Sequence, residues 1–109
     1  MDEERTIHNK QIRLLILKIL LANQRQKNRQ AGGWMRLGML QRLLLAQGYE
    51  VDGKDLHTFC VFLAGRGVEC LDIQKVGDSP PYRHEYRITS TGMLVAEQEK
   101  KIEGIGIWE

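Results

Sequence analysis

The chain has 109 residues, of which 42% are hydrophobic and 28% charged, with two prolines and two cysteines. That length and balance exclude a disordered tail, a collagen-like fibre and a multi-domain enzyme, and suit one domain around one core. The net charge of +2 is unevenly spread: residues 1–30 carry seven Lys/Arg against three Asp/Glu, and residues 78–109 carry four against six. A local surplus of positive charge attracts polyanions even when the mean charge is small.

Cys60 and Cys70 are too few for a disulfide framework and fit a reducing compartment. No apolar run reaches the roughly 18–20 residues that span a bilayer. The acidic start Met1-Asp2-Glu3-Glu4 is unlike a signal peptide. The expectation is a soluble cytoplasmic domain over residues 1–103 with a tail over residues 104–109.

In chain order, Ile12, Leu15, Ile16, Ile19 and Leu20 recur at helical spacing and predict a first helix with one buried stripe. Leu14, Leu17 and Leu21 form a second apolar strip, which either meets the same core or meets a second copy of the chain. Residues 23–33 (NQRQKNRQAGG) read as a loop carrying Arg25, Lys27 and Arg29, and Trp34-Met35 as a short extended piece. Leu37, Leu40, Leu43 and Leu44 mark a second helix, with Gly48 at its left-handed C-terminal cap. Asp52 is placed to cap a third helix over residues 53–64, with Asp55 in its first turn and Val51 and Leu56 as a hydrophobic staple.

After Gly67 the period changes to two. Leu71 and Ile73 alternate with polar residues, residues 77–81 (GDSPP) form a tip, and residues 82–88 alternate again. Tyr82, His84, Tyr86 and Ile88 share one strand face, and Arg83, Glu85 and Arg87 the other. Thr89 or Ser90 then caps a fourth helix to about residue 101, with Ile88 and Met93 as its staple. The fold class is therefore mainly α with a small antiparallel β-hairpin, in the order α-(β)-α-α-β-β-α. A helix-turn-helix followed at once by a hairpin is the winged helix-turn-helix arrangement.

Tyr86-Arg87-Ile88-Thr89-Ser90-Thr91-Gly92 resembles the Y-x-[LI]-T-x-x-G strand-to-helix junction of bacterial winged-helix regulators. The wider pattern is similar to small winged-helix proteins of Mu-like bacteriophages and prophages. It is carried by Arg13-Leu14-Leu15-Ile16-Leu17-Lys18-Ile19-Leu20, Gln47-Gly48-Tyr49-Glu50-Val51, Phe62-Leu63-Ala64-Gly65-Arg66-Gly67-Val68 and Glu103-Gly104-Ile105-Gly106-Ile107. The resemblance implies a DNA-binding type of fold in a phage or prophage setting, inside a bacterial host cell. The chain departs from it in a longer basic loop after the first helix and in the Pro80-Pro81 tip.

No catalytic constellation is assembled: there is no G-x-S-x-G, no phosphate loop ending in Lys-Ser/Thr and no H-E-x-x-H. The chain reads as a non-enzyme with no cofactor, no small-molecule substrate and no membrane partner. His57 and Cys60 are three apart on the third helix and Cys70 follows, a partial zinc-type set without a fourth ligand. Buried cysteines serving as small apolar residues are the commoner case. His8 and His84 stand alone.

Double-stranded DNA is the expected partner, bound by a homodimer. Lys54, His57, Thr58 and Val61 would read bases from the third helix, with Asp55 opposing. Arg25, Lys27, Arg29, Arg36, Arg83 and Arg87 would hold phosphates. Leu14, Leu17, Leu21, Ile105, Ile107 and Trp108 would form the dimer interface. The alternative is a winged-helix protein-interaction or dimerisation module without sequence-specific DNA binding.

Overall fold

The computed structural model describes residues 3–26, 31–77 and 83–106. Its longest element is α1 (Glu3–Arg25), with Glu3 and Glu4 in the first turn and Arg25 in the last, the arrangement that complements the helix dipole. It runs past Asn23, where a loop was expected, because its last turn is anchored. Asn23 Nδ2 donates to the Gly33 carbonyl at 3.0 Å, and Arg25 reaches Glu97 at 3.0 Å.

The remaining elements are β1 (Met35–Arg36), α2 (Leu37–Ala46), α3 (Gly53–Ala64), β2 (Leu71–Val76), β3 (Arg83–Ile88) and α4 (Ser90–Ala96). The described residues are mainly helical, with four α-helices, one 3-10 turn (Ala31–Gly33) and a three-stranded antiparallel sheet in the order β1-β3-β2. The hairpin pairs Leu71 with Ile88, Ile73 with Tyr86 and Val76 with Arg83. The extended piece after the loop falls one residue later than expected and finds a partner: Met35 pairs with Tyr86 and Arg36 with Glu85. Tyr82 and the Pro80-Pro81 tip lie outside the described residues.

α1 packs against α4, β3, α2 and α3, which bury Ile12, Ile16, Leu17, Ile19, Leu20 and Leu21 and leave Ile7 exposed. Leu17 has no exposed surface and Leu21 only 7%. Of the two readings of the second strip, Leu17 and Leu21 follow the one in which it meets this chain's own core, and not the one that assigns them to a dimer interface. Leu15, expected in the buried stripe, is only half-buried.

The C-terminal segment is docked rather than free. Ile105 is fully buried, Gly106 N–H donates to the Lys10 carbonyl at 2.8 Å, and Arg13 Nη1 donates to the Gly104 carbonyl at 3.0 Å. Leu14 is half-buried, and a Cβ at Gly106 would come within 2.9 Å of its Cδ2. Leu14 and Ile105 are thus occupied within the fold, and Ile107 and Trp108 lie outside the described residues. The Arg13 guanidinium also sits 4.2 Å from the Phe62 ring centroid and 5.5 Å from that of Phe59, joining α1, α3 and the tail.

The capping signals explain the short connections. Gly48, at φ 92°, closes α2 in a Schellman motif: its N–H donates to Leu45 O and that of Tyr49 to Leu44 O, each at 2.9 Å. Asp52 Oδ1 accepts the Asp55 N–H at 2.8 Å and starts α3, with Val51 and Leu56 both buried. On α2, Leu40 and Leu44, four apart, are buried in the core, and Leu37 packs against it half-buried. Leu43 lies on the exposed flank, contrary to the expected stripe.

α4 begins as expected, with Thr89 Oγ1 accepting the Gly92 N–H at 3.1 Å, but it stops at Ala96 rather than near residue 101. Gln98 adopts φ 61°, and the N–H groups of Gln98 and Glu99 turn back to Val95 O and Leu94 O. The helix therefore closes without a glycine. Among the described residues, no helix is long and apolar enough to cross a membrane.

Candidate nucleic-acid interface

α3 has three faces. Leu56, Cys60 and Leu63 point into the core. Lys54, Thr58 and Val61, at spacings of four and three, are exposed along the opposite side, with Asp55 beside them. Thr58 Oγ1 donates to the Lys54 carbonyl at 3.0 Å, which leaves its oxygen lone pairs outward.

His57 belongs to the third face, against the hairpin. Its Nδ1 shares a 2.7 Å hydrogen bond with Tyr86 Oη, and its ring lies 4.3 Å from that of His84, tilted by 37°. His57 is therefore turned toward the sheet instead of lying with the outward-facing residues. One helical position decides this: residue 57 follows the buried Leu56 on the flank above Tyr86, the fully buried residue of the central strand. Burial, aided by the charge of His84, lowers the His57 pKa below its usual 6.5. Burial, aided by Cys60, raises that of the Tyr86 phenol, which keeps its proton. His84, solitary in the sequence, gains its neighbour only through strand register.

Several of the expected phosphate contacts have carboxylates beside them. Arg25 meets Glu97 at 3.0 Å, Arg36 meets Glu85 at 3.9 Å, and Arg87 meets Asp72 at 3.2 Å. Arg87 also lies 4.5 Å over the Trp34 ring. Exposed pairs of this kind are worth about 0–1 kcal/mol, so Arg25 and Arg36 are not locked away from a competing anion. Lys27 and Arg29 lie outside the described residues.

Arg36 and Arg83 help to form a cleft of ≈ 470 Å³, together with Leu37, Gly38, Met39, Arg42 and His84. The cleft adjoins α3 twice. A Cβ at Gly53, the first residue of α3, would lie 3.4 Å from Leu37 Cδ2, and His84 stacks on His57. The start of α2 also has no side-chain cap, which leaves first-turn amides for water or a ligand.

No protein-family model, curated protein or solved structure matches this chain.

Arg42 and His84 are the site residues that sequence reasoning missed. Arg42 was within reach, because residues 38 and 42 are four apart on the side of α2 away from Leu40 and Leu44, next to Arg36. His84 was not, because its position depends on how the hairpin docks on α3.

A second concavity of ≈ 570 Å³ runs between the end of α1 and α2, lined among others by Ile19, Ala22, Trp34, Met39 and Leu43. Met39 is 49% and Leu43 36% exposed, so this groove presents apolar side chains beside the polar Asn23, Gln26, Arg36 and Gln47. Cys60 and Cys70 are buried free thiols, pushed by burial up to about 12 and about 11. Among the described residues, no three of His, Cys, Asp and Glu are grouped to hold a metal ion.

Proposed function

We propose that the chain is a winged-helix protein that binds double-stranded DNA and regulates or assists DNA transactions. α3 enters the major groove, β2 and β3 serve as the wing, and arginines of α2 and the sheet hold the backbone. What supports the winged-helix reading is the element order and the hairpin that follows α3 directly. One observation carries the functional reading: Lys54, Thr58 and Val61 form an exposed stripe on α3, and its foot adjoins a cleft lined by Arg36, Arg42 and Arg83. Base-reading side chains flanked by phosphate-holding ones are what sequence recognition needs.

The base-reading set is Lys54, Thr58 and Val61. Lys54 suits a guanine edge or a phosphate, Thr58 accepts or donates, and Val61 suits a thymine methyl. His57 contributes by holding α3 against the sheet. The test is fluorescence anisotropy on labelled duplexes of random and intergenic sequence across a salt series. Binding should weaken steeply with salt, and Lys54→Ala or Thr58→Ala should narrow the gap between preferred and random duplexes. No binding even at low salt would overturn the reading.

The groove beside Trp34, Met39 and Leu43 favours a second reading, a protein-interaction or dimerisation module. A homodimer built on this fold would use that groove, since Leu17, Leu21 and Ile105 are enclosed. Light scattering on the wild type and on Met39→Glu tests the groove as an interface, and a dimer that the substitution dissociates but that binds no duplex at low salt supports the second reading.

A further inference from the structure

We propose that the cleft between α2 and the start of β3 is a seat for one phosphate of the DNA backbone, clamped by Arg36, Arg42 and Arg83. The proposal deepens the DNA-binding reading and rests on it. Three arginines from three elements line one concavity, beside the apolar Leu37 and Met39, and like charges gathered in one place favour an anion among them. Among the described residues, neither Arg42 nor Arg83 meets a carboxylate within ion-pair distance. Glu85, the partner of Arg36 at 3.9 Å, is shared with Gln74, whose Nε2 donates to it at 2.6 Å. The positive charge of the cleft is thus only partly answered from within.

Gly38 is the second observation. It lines the cleft, and a Cβ there would meet nothing within 4 Å. Neither packing nor a left-handed backbone requires a glycine at this point, and alanine is the better helix former. The missing methyl keeps the cleft deep, which benefits an occupant and not the fold. The volume of ≈ 470 Å³ equals about fifteen waters at roughly 30 Å³ each. That exceeds a lone phosphate and suits a phosphodiester with its flanking sugars.

The test compares the full-length wild type with Arg42→Ala, Arg83→Ala, their double variant, Gly38→Ala and, outside the cleft, Lys18→Ala. Duplex affinity is read by anisotropy over a salt series, and inorganic phosphate is titrated while the amide signals of Gly38 and His84 are followed by NMR. Each arginine variant should bind duplex about tenfold more weakly. The double variant should lower the salt slope by about one, the value for a single phosphate. Gly38→Ala should keep or raise Tm and still weaken binding.

If the cleft variants match Lys18→Ala in affinity and slope, the seat is overturned while DNA binding stands. A slope change of about two in the double variant also overturns it, since the arginines then serve separate phosphates. If the wild type binds no duplex, the DNA reading falls and the titration alone decides. Saturable shifts at Gly38 then retain the cleft as a seat for free phosphate, and their absence rejects it.

Discussion

His57 Nδ1 and Tyr86 Oη lie 2.7 Å apart, and this hydrogen bond ties α3 to the central strand of the sheet. Tyr86 is fully buried, so its hydroxyl depends on His57 for a partner, and the angle at which α3 stands on the hairpin depends on both. Tyr86→Phe removes donor and acceptor demands together and should cost about 1 kcal/mol. His57→Ala leaves the phenol unpaired and should cost about 1–3 kcal/mol. Urea unfolding measures both, and equal stability of His57→Ala and the wild type would refute the coupling.

The same pair gives stability a pH dependence. The folded chain holds the His57 pKa below 6.5 because burial and the charge of His84 disfavour the imidazolium. The unfolded chain therefore binds the proton more readily, and stability is fully present above about pH 6.5 and declines as pH falls toward the lower folded pKa. The urea midpoint should drop between about pH 7.5 and pH 5, and His57→Gln should reduce that drop. An unchanged pH dependence in the variant would assign the effect to other groups.

The strand-to-helix junction should be intolerant of small changes. Thr89 Oγ1 accepts from Gly92 N–H at 3.1 Å and donates to Glu69 O at 2.6 Å, and a Cβ on Gly92 would run into the Cys70 carbonyl. Thr89→Ala should cost about 1 kcal/mol as a lost cap. Gly92→Ala should cost about 1–3 kcal/mol as overpacking against backbone. Thermal unfolding followed by circular dichroism ranks them, and a Gly92→Ala protein as stable as the wild type would contradict the close approach.

Cys60 and Cys70 should behave as core residues. Burial raises their thiols to about 12 and about 11, so the reactive thiolate is scarce at neutral pH. Reaction with an aromatic disulfide reagent should be slow in the native protein and fast in urea. Fast labelling of native protein at either cysteine would show that the site opens readily.

The sequence alone determined whatever rests on local chemistry. Asp52, Gly48 and Thr89 announce their helix ends because a cap needs only a side chain or a left-handed residue within a few positions of the amides and carbonyls it serves. The alternation of Leu71, Ile73, Tyr86 and Ile88 likewise announces the hairpin, because strand periodicity is a property of the chain itself.

Tertiary structure decided what depends on which faces meet. Leu17 and Leu21 look surplus until the elements packed around α1 bury them, and His57 looks outward until β3 places Tyr86 and His84 beside it. Arg36, Arg42 and Arg83 are dispersed over 48 residues of sequence and share a cleft only because β1 pairs with β3 at the start of α2. Periodicity tells which residues share a face of one element. Which element covers that face is decided by long-range packing, and that packing brings the three arginines to one cleft.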